Sequence, residues 1–101
     1  MKLESTGRTL KMSSLPELNA TNASAFRERA RAAILPEHDE VELDLSQTRF
    51  LDSSGLGALI ALNKLMTNRQ GHVRILNPVP AVQQILELTR MHRVFDIAQR
   101  S

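Results

Sequence analysis

Polar and hydrophobic positions along the chain follow two periods, one of two residues and one typical of helices. Period-two alternation covers Thr9–Met12, Val41–Leu45 and His72–Leu76 and predicts a strand at each. Another short strand is predicted on the other side of a turn at Gly7, and a last one at Val94–Ile97. The chain is therefore expected to form a sheet from strands that are far apart in the sequence.

Helical spacing of apolar residues connects these strands in three segments. The predicted helices run over residues 21–35, 56–69 and 78–89, and a loop with a proline covers 13–19. Thr21 or Asn22 can cap the first helix, because their side-chain oxygens accept hydrogen bonds from free backbone N–H groups. Gly71 is typical of a residue that ends the second helix, and Pro78 of one that opens the third.

This order of strands and helices predicts an α/β fold. Helices that connect successive strands cover a sheet and bury its apolar side chains. We therefore expect one small domain over residues 1–101, with a mixed, mostly parallel sheet of four to five strands covered by helices.

Composition excludes several classes of function. The 101 residues contain no Cys, which rules out disulfides and thiolate chemistry. With three Phe, no Trp and no Tyr, a surface that stacks on nucleic-acid bases is not expected. The net charge of +2 comes from acids and bases that are interspersed, so we expect no nucleic-acid partner.

The longest apolar run points away from a membrane span. Residues 56–62 are seven apolar residues or glycines, whereas a helix needs about 20 to cross a bilayer. The first residues lack the apolar stretch of a signal peptide. We expect a cytoplasmic protein without direct membrane insertion.

The histidines do not form a metal-binding pattern. His38, His72 and His92 are scattered and share no helix at ligand spacing, so each is interpreted as a surface or boundary residue. Neither a phosphate-binding loop nor a dinucleotide fingerprint occurs in the sequence. No metal and no cofactor are expected.

The four residues Asp52-Ser53-Ser54-Gly55 stand between a predicted strand and the second helix, where α/β folds often carry their function. One interpretation is structural, since Asp and Ser cap helices and Gly55 and Gly57 serve only to let backbones approach closely. The other is a serine that accepts a phosphate or contacts a partner. A phosphate would add about −1.5 to −2 charges, and a helix N-terminus tolerates an anion.

Three segments together resemble a known family. They are residues 41–46 (Val-Glu-Leu-Asp-Leu-Ser), residues 50–57 (Phe-Leu-Asp-Ser-Ser-Gly-Leu-Gly) before an apolar helix, and residues 75–78 (Ile-Leu-Asn-Pro) before another. This pattern is similar to the STAS domain of bacterial anti-sigma factor antagonists and covers nearly the whole chain.

The resemblance implies a switch operated by protein partners. Members of the family are substrates of a serine kinase that is also an anti-sigma factor. Unphosphorylated, they bind the kinase and free the sigma factor, and a serine phosphatase resets the phosphorylated form. The family's phosphorylated residue matches Ser53, with Ser54 as the alternative, and Asp52, Gly55, Leu56 and Gly57 would belong to the same docking surface.

One departure and two other functions stay open. Many relatives have an aspartate where this chain has Asn19, which affects any partner or nucleotide contact there. STAS domains also serve as accessory subunits that dock on the ATPase of lipid-transporting ABC systems. A small nucleotide hydrolase would have only Asp44, Asp52 and Ser53 to supply its chemistry.

Overall fold

A computed structural model describes residues 1–99, which contain seven strands and three α-helices. The strands are β1 (Lys2–Thr6), β2 (Thr9–Ser13), β3 (Glu17–Leu18), β4 (Glu40–Asp44), β5 (Phe50–Leu51), β6 (His72–Leu76) and β7 (Asp96–Ala98). The helices are α1 (Ala23–Ala33), α2 (Ser53–Thr67) and α3 (Pro80–Leu88), and a 3-10 turn covers Met91–Arg93.

The main sheet has five strands in the order β1-β2-β4-β6-β7. β1 and β2 form an antiparallel hairpin, and every later neighbour pairs in parallel. Each parallel connection contains a helix and steps the same way across the sheet. Because such crossovers are right-handed, all three helices lie on one face. The predicted mixed α/β sheet is confirmed, with its helices on a single side.

The core lies between the sheet and the helices. Strand register places Met12, Leu43 and Ile75 side by side, and each is completely buried. Phe26 of α1 and Leu59 of α2 are buried in the same core. Burial of a side chain of this size stabilises the fold by about 1.5–3 kcal/mol, so the alternating strand pattern determines which face the helices cover.

The opposite face of the sheet is polar. One row of paired residues crosses all five strands with alternating charge: Glu4, Lys11, Glu42, Arg74 and Asp96. Arg74 Nε donates to Asp96 Oδ2 at 2.9 Å, so neighbouring charges on this face interact directly. Opposite charges on adjacent strands stabilise this face, whose row is exposed at Glu4, Lys11 and Asp96 and buried at Glu42.

The third helix begins two residues later than predicted. Asn77 has a left-handed φ of 54°, and the chain stays extended at Val79. Pro80 disfavours helical backbone in the residue before it, so the helix opens at Pro80 and the prediction for Pro78 is wrong. The last strand is also shifted, to Asp96–Ala98, because residues 91–93 form the 3-10 turn.

Gly71 does not end the second helix in the way predicted. The left-handed residue there is Gln70, with a φ of 63°. Gly71 instead sits where the chain enters β6, and a Cβ at this position would lie 2.6 Å from the carbonyl oxygen of Asp39. Close packing against the chain before β4 therefore requires this glycine.

His38 is buried, although the sequence predicts a surface or boundary residue. Its Nδ1 accepts a hydrogen bond from the Leu35 N–H at 3.0 Å, so the ring proton is on Nε2. Nε2 then donates to Ser5 Oγ at 2.8 Å. The imidazole thus joins the turn after α1 to the edge strand β1.

Two structural features are absent from residues 1–99. No helix there combines the length and the apolar character needed to cross a bilayer. No group of three His, Asp or Glu side chains in that range is arranged to hold a metal ion.

Replacement of His38 by alanine should destabilise the fold by about 2 kcal/mol, because it leaves a cavity and unpairs the Leu35 N–H and the Ser5 hydroxyl. The measurement is urea unfolding. His92 is exposed, so His92→Ala is the matched control and should change stability by less than about 0.5 kcal/mol. Equal midpoints for both variants would contradict the structural role of His38.

Candidate functional site

The candidate site is the N-terminal turn of α2. The helix begins at Ser53, three residues before the predicted start at Leu56. The prediction followed the apolar periodicity, and Ser53 and Ser54 are polar residues that this periodicity does not include. Both serines consequently belong to the helix itself.

Asp52 caps this helix. Its Oδ1 accepts a hydrogen bond from the Gly55 N–H at 2.9 Å, and its Oδ2 accepts one from the Ala20 N–H at 3.1 Å. The Leu56 N–H donates to the Asp52 carbonyl oxygen at 2.9 Å, which is the first bond of the helix. The carboxylate therefore holds the loop before α1 against the start of α2, and the capping interpretation applies to Asp52.

A second, two-stranded sheet supports the site. β3 and β5 pair in parallel, with Leu18 opposite Leu51, and both leucines are buried. β5 leads directly into Asp52 and α2. Pro16 and the polar residues around it predicted a loop over 13–19. β3 was missed because a strand of two residues shows no alternation and its pairing partner is distant in the chain.

The two glycines of the motif have different roles. A Cβ at Gly55 would lie 2.0 Å from the carbonyl oxygen of Leu18, so close approach of α2 to β3 requires a glycine. A Cβ at Gly57 would meet nothing within 4 Å. The suggestion that both glycines serve backbone approach is therefore wrong for Gly57, which lies exposed on the helix.

Ser53 and Ser54 are both exposed. Within residues 1–99 neither hydroxyl makes a hydrogen bond, and neither backbone N–H has an acceptor. A hydroxyl on Ser53 is thus open to solvent at the positive end of a helix of fifteen residues.

Three other residues of α2 lie on the same helix face as Ser53. Residues spaced by three or four positions share a helix face, which groups Ser53 with Leu56, Gly57 and Ile60. Gly57 and Ile60 are exposed, and Leu56 is partly buried. Ile60, at 40% exposure, was not singled out from the sequence because its position in an apolar helix indicates burial.

Asn19 accepts hydrogen bonds at the neighbouring turn. Its Oδ1 accepts hydrogen bonds from the N–H and the hydroxyl of Thr21, at 3.0 and 2.6 Å. The Asn22 side chain bonds to the Asn19 N–H and to the Glu17 carbonyl oxygen, and it does not cap α1 as predicted. These bonds do not require a charge at residue 19.

Comparison with protein families and named relatives gives consistent matches. The model of the STAS domain matches residues 2–101. An anti-sigma F factor antagonist of Paenibacillus polymyxa is 27% identical over 59 residues, which are 58% of this chain and only half of that protein. A relative from Thermotoga maritima is 28% identical over 82 residues, covering 80% of this chain and 73% of the relative.

Solved structures share the fold. The Thermotoga maritima protein TM1081 has a TM-score of 0.91 at 23% identity, with 98% of this chain and 86% of that chain covered. The unphosphorylated form of the anti-sigma factor antagonist SpoIIAA has a TM-score of 0.84 at 20% identity, with 99% and 87% covered. Its phosphorylated form, from Bacillus, gives 0.79 at 20% identity, with 99% and 90% covered.

The two glycines should respond oppositely to alanine. Gly55→Ala should destabilise the fold by about 3 kcal/mol, since the added methyl group overlaps the Leu18 carbonyl oxygen. Gly57→Ala should stabilise it by about 0.5–1 kcal/mol, because alanine is the better helix former and has free space. Chemical unfolding of both variants checks this, and a loss of stability in Gly57→Ala would show that the open space is absent.

Proposed function

The chain belongs to the STAS domain family, and from that premise we propose that it is an anti-sigma factor antagonist switched by phosphorylation of Ser53. In the unphosphorylated form it binds an anti-sigma factor that is also a serine kinase, and a sigma factor is freed. A serine phosphatase restores this form. Such an exchange takes place where transcription does, in the cytoplasm.

The observation that carries this proposal is the Ser53 hydroxyl. It is exposed, makes no hydrogen bond within the described chain, and stands on a helix that Asp52 and Gly55 hold firmly. A kinase active site needs a hydroxyl it can surround without unfolding the substrate, and Ser53 meets this need. Ser54, which is also exposed, is the alternative acceptor.

Phosphate on Ser53 would change the surface and leave the fold intact. The free N–H groups of the first turn favour a negative charge, so the added dianion is tolerated by the domain. A partner covering this turn would have to remove the phosphate from water beside the Asp52 carboxylate, at a cost in free energy. Binding is therefore lost through the interface.

Two solved forms of one relative agree with this reasoning. SpoIIAA has been determined in an unphosphorylated and in a phosphorylated form, and this chain has a similar fold to both. A modification that leaves the fold of a relative recognisable supports a switch that acts at the surface.

The docking surface consists of supporting residues and contacting residues. Asp52 and Gly55 support the turn from beneath, because their contacts are to Ala20 and Leu18. Ser53 and Gly57 face outward and would touch the partner. Since Gly57 has no packing reason to be glycine, close approach of the partner's backbone accounts for it.

The chain is proposed to be a substrate and not a catalyst. Both Asp52 oxygens accept hydrogen bonds from backbone N–H groups, so this carboxylate is engaged in holding the turn. A hydrolase would need a base placed to activate water or Ser53. Kinase and phosphatase supply that chemistry from outside.

Incubation with ATP and the purified anti-sigma factor kinase from the same genome should add one phosphate to Ser53. Mass spectrometry of the digested protein locates it. Ser53→Ala should abolish the modification, whereas Ser54→Ala, which changes the neighbouring exposed serine, should retain it. A phosphate on Ser54 or elsewhere, with a kinase active on another substrate, would reject the assignment.

Ser53→Asp should weaken binding of that kinase at least about tenfold, because a fixed charge must be desolvated at the interface. Its thermal midpoint should stay near that of the wild type, as the side chain is exposed at a helix N-terminus. Calorimetric titration and thermal unfolding give the two values. Unchanged affinity, or lost binding together with a large fall in the midpoint, would contradict a switch at the surface.

A further inference from the structure

A groove separates α1 from α2 on the outer side of the helical layer. It is shallow, with a volume of about 30 Å³. Its floor is apolar and is formed by Phe26, Ala30, Ala58, Ala61, Leu62 and Leu65, of which Ala61 and Leu65 are partly exposed and the other four are buried. Three of these are alanines, which leave a furrow between the helices because no longer side chain fills the space.

Two arginines line the same groove. Arg27 and Arg31 are exposed and stand one helical turn apart on α1. Neither makes a hydrogen bond or a salt bridge within residues 1–99, whereas Arg8 and Arg74 both pair with aspartates. The position of Arg31 in the last turn of α1 is favourable for a cation, but Arg27 has no such explanation.

No acidic residue lines this groove. An apolar floor bordered by unpaired cations is complementary to a segment with an apolar stripe and carboxylates beside it. A helix presents such a stripe, and an amphipathic helix laid in an apolar groove is a common mode of recognition.

We propose that the α1–α2 groove binds an acidic amphipathic helix of a partner protein. Its apolar side chains lie over Ala61 and Leu65, and its carboxylates pair with Arg27 and Arg31. The inference does not depend on phosphorylation of Ser53.

The groove begins beside the candidate site. Ala61 and Leu65 follow Ser54 by seven and eleven residues, so the three share one side of α2. Eleven residues of helix span about 16 Å, a distance that one partner covers easily. If the proposed function holds, the helix in the groove belongs to the protein that recognises Ser53.

The test uses the isotope-labelled full chain and two synthetic peptides. One is an amphipathic helix with leucine on one face and glutamate elsewhere, and the other has lysine in place of every glutamate. Nuclear magnetic resonance titration with the glutamate peptide should shift the amides of Arg27, Arg31, Ala61 and Leu65. The lysine peptide should bind about tenfold more weakly or not at all.

A charge-matched pair of variants separates the groove from overall charge. Arg27→Glu with Arg31→Glu should weaken binding of the glutamate peptide about tenfold. The control variant combines Arg49→Glu with Arg93→Glu, which changes the net charge by the same amount. Both arginines are exposed and lie outside the α1–α2 groove, so this variant should still bind the glutamate peptide. Circular dichroism confirms that both double variants are folded.

Several results would overturn the inference. Equal affinity for both peptides, shifts confined to other surfaces, equal loss in both double variants, or a second copy of the chain occupying the groove in sedimentation would each do so. Phosphorylation of Ser53 is measured in a separate experiment. The proposed function can therefore be rejected while the groove binds the glutamate peptide, or supported while the groove does not bind it.

Discussion

The contact between Gly55 and the Leu18 carbonyl oxygen is the constraint on which the candidate site depends. An added Cβ would approach that oxygen to 2.0 Å, so the start of α2 lies directly against β3. Asp52 fastens the same junction from the other side through Ala20. Together, the steric fit and the hydrogen bonds fix the first turn of α2. They therefore also fix the positions of the exposed Ser53 and Ser54 in that turn.

A rigidly held serine suits a switch that works by charge. Because the turn around Ser53 is fastened to β3, a phosphate in the proposed switch would find no loose segment to reorder, and its effect would fall on a partner that covers the surface. The same face of α2 carries the exposed Gly57 and Ile60, which would allow a protein partner close approach and apolar contact. The adjacent α1–α2 groove carries the cations Arg27 and Arg31. The surface of these two helices thus combines positions for close approach, apolar contact and ion pairing.

Periodicity identified the elements of the main sheet, since strand and helix patterns depend on which side chains must be buried. Val41–Leu45 alternates cleanly and matches β4 to within one residue. Features that depend on distant partners were not predictable. β3 is defined by its pairing with β5. The buried His38 bonds to Leu35 and to Ser5, which is 33 residues away. Gly57 differs from Gly55 only in the atoms that face each glycine. The α1–α2 groove likewise exists only after two helices have packed.

The charged row on the uncovered side of the sheet sets a limit on how this domain can assemble. Stacking another layer there would take Glu4, Lys11, Arg74 and Asp96 out of water, whereas Glu42 is already buried, and pairing of charges across the two sheets would be needed to recover the lost hydration. A second domain is therefore expected to pack on the helical side. Contact between this domain and another protein layer therefore costs less hydration on the helical side than on the charged side of the sheet.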